Sequence, residues 1–90
     1  MITHNIKTER IFLLAIKSGQ KRFEFRKNDR NYQTGDIVNF LEVIDGKLTG
    51  NSINNFKIDY VLYGGVFGIP IDYCIFTWET KLYLKKPSFL

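Results

Sequence analysis

The sequence predicts an α+β fold: a small β-barrel with one main helix packed over it. Three observations lead there. One stretch near the start carries a helical apolar period. Everything after it changes to short runs with a period of two. Those runs are separated by Gly, Asn and Asp turn signals. At 90 residues the chain forms a single domain, 1–90. A domain this long buries roughly two-thirds of its unfolded surface. With 44% apolar and 16% aromatic residues, it needs neither disulfide nor metal to hold a core.

The first expected strand is Thr3 to Lys7. Thr8 then offers an N-cap hydroxyl, and Glu9 suits the first turn of a helix by its charge. Ile11, Leu14, Ala15 and Ser18 recur at helical spacing, with Phe12 and Ile16 beside them, which predicts a helix over 9–18. Gly19 follows, a residue free to take the left-handed conformation that ends a helix. In the next segment Arg22, Glu24 and Arg26 alternate with Phe23 and Phe25. In a strand the charged groups share one face and the phenylalanines the other; Phe23 and Phe25 are therefore expected in the core, with Ile37, Phe40, Ile58 and Ile75. Asn28 to Asn31 is turn chemistry, and the Asn28 and Asp29 side chains suit bonds to the loop backbone.

Thr34-Gly35-Asp36 is a second turn and launches an apolar strand from Ile37 to Ile44. Asp45-Gly46 is a two-residue hairpin signal, after which a weak strand returns through Lys47 to Thr49. Phe56 to Tyr63 is the clearest strand, with Phe56, Ile58, Tyr60 and Leu62 on one face and Lys57 and Asp59 on the other. Gly64, Gly65, Gly68 and Pro70 mark a loop at the rim of the expected cleft. It is not a phosphate loop, because no Gly-Lys-Ser/Thr follows. Strands Asp72 to Trp78 and Lys81 to Lys85 complete the domain, and Pro87 opens a tail. Tyr60, Tyr63 and Trp78 suit packing on the sheet. Strands of this length with tight turns can close into a barrel.

The lone cysteine, Cys74, excludes an internal disulfide and a cysteine metal cluster and suits a reducing compartment. The apolar run Ile11 to Ile16 is too short for a secretory core or a membrane span. The expectation is a cytoplasmic protein without metal, cofactor or membrane attachment; its oligomeric state is left open. The net charge of +4 is unevenly placed: six of the 13 basic residues fall between Lys17 and Arg30, opposed there by Glu24 and Asp29. Clustered cations favour an anionic partner, although a solvated surface run has the same composition.

The densest chemistry is Gly19-Gln20-Lys21-Arg22-Phe23-Glu24-Phe25-Arg26, which reads GxKxxExR. It offers an ammonium at a helix-to-strand junction, then a carboxylate and a guanidinium two residues apart on one strand. A guanidinium binds phosphate bidentately, and a carboxylate accepts from a base amino group. The alternative is an ordinary surface ion pair contributing about 0–1 kcal/mol. His4, the only histidine, is a candidate acid or base or a structural residue. Tyr32 is a candidate for stacking on a base or for packing against the sheet. Lys81, Lys85 and Lys86 either extend the basic surface or guard an edge strand.

Helix, GxKxxExR and a following Gly-Asp turn resemble the ASCH superfamily, a PUA-like group. Phe23 to Arg30 with Tyr32-Gln33-x-Gly35-Asp36, preceded by His4 to Lys7, resembles a small uncharacterised branch of it found in bacteria and phages. The resemblance covers about residues 4 to 45. It implies a barrel with a cleft beside the helix and RNA or a nucleotide as ligand. The binding residues expected are Lys21, Glu24, Arg26, Lys27, Arg30 and Tyr32. Some relatives in that superfamily are amidohydrolases on acetylcytidine, which makes Lys21 a catalytic candidate, alongside Glu24 as a general base on water and His4 as an acid or base. Those enzymes look to use a lysine, a nucleophilic threonine and a distant glutamate. Lys21 matches the lysine, Glu24 stands where the threonine would be, and Glu79 lies beyond the expected place of the glutamate. These departures favour a binding module over an enzyme. A protein-interaction module of phage or host origin is the third class.

Overall fold

A computed structural model of the protein describes residues 1–79. The elements in order are β1 (Thr3–Glu9), α1 (Arg10–Lys17), β2 (Phe23–Lys27), β3 (Ile37–Ile44), β4 (Lys47–Tyr63) and β5 (Tyr73–Trp78). The expected strand Lys81 to Lys85, Lys86 and the tail at Pro87 lie outside the described residues.

The five strands form one mixed sheet in the order β1-β3-β4-β5-β2, with β1 parallel to β3 and the other pairs antiparallel. The sheet is open, which corrects the expected barrel. A barrel requires its first and last strands to pair, and among the described residues β1 and β2 are instead the two outer strands. The sheet nevertheless curls, because β4 is shared between two halves. Lys47 to Lys57 pair with β3, while Ile58 to Tyr63 pair with β5. The weak return strand and the clear later strand of the sequence are therefore one 17-residue strand.

Curling brings β2 opposite β1, and side chains rather than a ladder bridge the seam. Arg26 Nη2 donates to the Lys7 carbonyl (2.9 Å) and Arg30 Nη1 to the Asn5 carbonyl (2.9 Å). Strand period reports which residues are extended; it does not report which edges meet. For this reason the sequence pattern alone does not distinguish a closed barrel from an open, curled sheet.

The core combines Ile6, Leu13, Ile16, Tyr32, Val38, Phe40, Ile58, Val61, Cys74, Phe76 and Trp78. Phe40 and Ile58 are buried as expected, and Ile37 and Ile75 are half-buried. Phe23 and Phe25 are 47% and 50% exposed, while Glu24 between them is 8% exposed, so the face of β2 is the reverse of the expected one. The helix also turns differently. Leu13 and Ile16 face the core, and Ile11, Phe12 and Leu14 lie outward. It begins at Arg10 after Glu9, without a side-chain cap, and Thr8 is a buried residue of β1. Gly19 does end it, at φ +86°.

In β4 a bulge between Ile58 and Tyr60 breaks the alternation, so Val61 turns inward and Tyr60 outward. The Asp45-Gly46 hairpin is as expected, with both residues at positive φ and Ile44 paired to Lys47.

Candidate nucleic-acid interface at the seam

The seam between β1 and β2 opens into a cleft of about 550 Å³. Asn5 and Lys7 come from β1, Leu41 from β3, Phe25, Arg26 and Lys27 from β2, and Tyr73 from β5; the loop after β2 adds Asp29, Arg30 and Tyr32. Four of these side chains are cationic (Lys7, Arg26, Lys27 and Arg30), and Asp29 is the one acid among the described lining residues. The rings of Phe25 and Tyr73 stack at 5.2 Å on the wall. Each arginine spends one bond on a β1 carbonyl. A guanidinium has five N–H donors, so both retain donors for an anion.

Local structure fixes the loop that carries Arg30. Asn28 Oδ1 accepts from the Tyr32 amide (2.9 Å), and the Asn28 amide donates to the Asp72 carbonyl (2.8 Å). Tyr63 donates its hydroxyl to the Tyr32 carbonyl (2.8 Å). Tyr32 is fully buried, with its ring against His4 and Phe76, so it is a core residue rather than an open stacking platform. Burial pushes its phenol up, and the charges of Arg26 and Arg30 offset part of that rise.

His4 is structural. Its Nε2 lies 2.8 Å from Asp36 Oδ2 with both side chains buried. Asp36 also accepts from the Ile2 amide (3.1 Å) and the Gln33 amide (3.1 Å), which ties the start of β1 to the turn before β3. Burial opposes ionisation of Asp36, but the His4 bond and these two amides outweigh it and hold the carboxyl below its ordinary value. The Gly-Asp turn was visible in the sequence; that its aspartate is the anchor for His4 was not.

Lys21 and Glu24 meet, but beside the main cleft. Lys21 Nζ donates to Glu24 Oε1 (2.5 Å) and to the Phe23 carbonyl (2.6 Å), and it lies 5.0 Å from the Phe23 ring centre and 5.8 Å from that of Phe12. The other Glu24 oxygen lies 3.3 Å from Arg26 Nε. Glu24 thus joins the two cations, and Phe25 separates a small hollow of about 170 Å³ at Lys21 from the larger cleft. Arg22 faces a different hollow, beside Gly19 and Trp78. Of the residues expected to bind, Arg26, Lys27 and Arg30 share the cleft, while Lys21 and Glu24 flank it. Asn5, Lys7, Phe25 and Tyr73 were missed. Lys7 and Asn5 had no local signal, because only the curl of the sheet brings β1 to β2. Phe25 carries a core signal in the sequence but stands half in solvent on the cleft wall.

Among the described residues no cluster of three or more His, Cys, Asp or Glu side chains is placed to hold a metal, and no helix is long and apolar enough to cross a membrane.

A 12.9 kDa uncharacterised protein in the GpA 3′ region of Escherichia phage P2 is 32% identical over 75 residues, covering 72% of this chain and 69% of the phage protein. Residues 3–78 match the family described as a domain of unknown function, DUF3850, a span that takes in every described strand and the helix. That family takes the place of the ASCH, PUA-like label suggested by the GxKxxExR string, just as the open sheet takes the place of the barrel. The chain belongs to the DUF3850 family.

Proposed function

We propose that the seam cleft binds RNA or a nucleotide through its phosphates. One observation carries the reading: Lys7, Arg26, Lys27 and Arg30, drawn from two strands and a loop, converge on one cleft whose wall is aromatic. Cations that focus on a concave site concentrate an anionic ligand, and a stacked Phe25–Tyr73 pair offers a π-face to a base. A cytoplasmic setting suits such a ligand. Glu24 then acts as a positioning residue, orienting the guanidinium of Arg26 while Lys21 balances its second oxygen. Its carboxylate is nearly covered and engaged on both oxygens, which disfavours it as a reader of bases.

The test is an NMR titration at low salt with a short RNA, a single-stranded DNA and mononucleotides. Shifts at residues 5, 7, 25–30 and 73 are expected. Affinity for a single strand should fall by about 0.7 log units per log unit of salt for each phosphate neutralised. Absence of binding to all three at millimolar ligand would refute the proposal.

A further inference from the structure

The loop between β4 and β5 is apolar and outward. Its sequence from residue 64 to 71 is GGVFGIPI, with Phe67 89% and Ile71 83% exposed. It is also firmly built. The Gly65 amide donates to the Ile69 carbonyl (2.8 Å), the Ile69 amide to that of Val66 (2.9 Å) and the Tyr73 amide to that of Pro70 (2.9 Å). The backbone folds so tightly that a Cβ on Gly64 would stand 1.8 Å from the Pro70 oxygen. At the tip Phe67 sits at φ +51°, a conformation that disfavours a side chain with a Cβ. The fold therefore holds an aromatic ring in solvent, in an unfavourable backbone conformation, at the end of a braced turn. An outlier of this kind points to a use outside the fold.

The foot of the loop belongs to the basic cleft. Tyr73 pairs with Lys27 in the β2–β5 ladder and stacks on Phe25, and the Asp72 carbonyl holds the amide of Asn28, two residues before Arg30. The basic loop after β2 and the apolar β4–β5 loop therefore leave the sheet at the same end. Single-strand sites combine these two features: cations that follow the backbone and aromatic rings on which bases stack.

We infer that the native ligand is a single-stranded nucleic acid longer than one nucleotide. Its phosphates lie in the seam cleft, and a neighbouring base leaves the cleft to stack on Phe67. This inference rests on the proposed function of the cleft and adds to it the polymer and the loop. On this inference a mononucleotide occupies the cleft alone, and the tip engages only a longer strand.

The experiment compares Phe67→Ala and Phe67→Trp with the parent chain, using uridine monophosphate, an eight-nucleotide RNA and an eight-nucleotide DNA. Base–aromatic stacking predicts that Phe67→Ala weakens either octamer about tenfold or more. Phe67→Trp should keep octamer binding, and both variants should bind the mononucleotide like the parent. Unchanged octamer affinity in Phe67→Ala would overturn the inference and leave the cleft reading standing; the loop would then serve a protein partner. An equal loss for octamer and mononucleotide would also overturn it, because the effect would be on the cleft itself. A parent chain that binds none of the three would sink the cleft reading and this inference together.

Discussion

Replacing one buried and one half-exposed phenylalanine tests the orientation of the sheet. Phe40 on β3 is fully buried and meets the rings of Phe56 and Trp78 edge-on, each at 5.2 Å between centres. Truncation to alanine removes the whole ring from a packed site, which costs about 3–5 kcal/mol. Edge-to-face pairs of this kind contribute about 0.5–1.5 kcal/mol of that. A 90-residue domain has only roughly 5–13 kcal/mol to lose, so Phe40→Leu, at about 1–3 kcal/mol, keeps the measurement in range. Phe25 is half in solvent and has one stacked neighbour, Tyr73, so Phe25→Ala should cost about 1 kcal/mol or less. In urea, with a slope of about 1 kcal/mol per molar, Phe40→Leu should move the midpoint by about 1–3 M and Phe25→Ala by about 1 M or less. The same Phe25→Ala variant should lose affinity for RNA. A larger midpoint shift for Phe25→Ala than for Phe40→Leu would show that β2 turns its phenylalanines inward and that the cleft wall is misplaced.

Lys27 is exposed and lines the cleft, so Lys27→Ala should weaken RNA of any sequence alike and reduce the salt slope by about 0.7, with the urea midpoint unchanged; a change of sequence preference would argue against a phosphate contact. Asp36 is held below its ordinary value by the bonds from His4, Ile2 and Gln33 despite burial, and Glu42 by Thr49 and Asn51, helped by Arg10. Groups with depressed values add stability above their unfolded value near pH ~4 and lose it as pH falls through the folded one. Acid titration of the urea midpoint should therefore show a fall below about pH 4, shallower in Asp36→Asn. Burial raises the Cys74 thiol, so a thiol reagent should label it only as fast as the domain unfolds; immediate labelling would contradict its place in the core. Gly64→Ala should cost about 3 kcal/mol by denaturation, because the new methyl group meets the Pro70 backbone.

Elements were more legible than faces. The Asp45-Gly46 turn, the end of the helix at Gly19 and the strand from Ile37 to Ile44 follow from local chemistry, and the structure has all three. A period of two places Phe23 and Phe25 opposite Glu24 and Arg26, but it leaves open which side is inward. Hydrophobicity favoured the phenylalanines, whereas the Lys21–Glu24–Arg26 ion pairs made the polar side the buried one. The helix face is hard to read for a related reason: apolar residues surround most of it, so the sequence does not single out the stripe through Leu13 and Ile16. The basic run predicted Arg26, Lys27 and Arg30 in one site. Lys7 and Asn5, some twenty residues earlier in the chain, join them only through the curl imposed by β4.

The two arginines across the seam have a consequence for solubility. A free strand edge is a row of unpaired amides and carbonyls, which another chain can extend into an aggregate. Here the carbonyls of Asn5 and Lys7 are already occupied by Arg30 and Arg26. An incoming strand would have to displace both bonds and approach two positive charges that its own copy also carries. The open sheet thus keeps its β1 edge from serving as a template, and the guanidinium groups that close the seam also keep the chains apart.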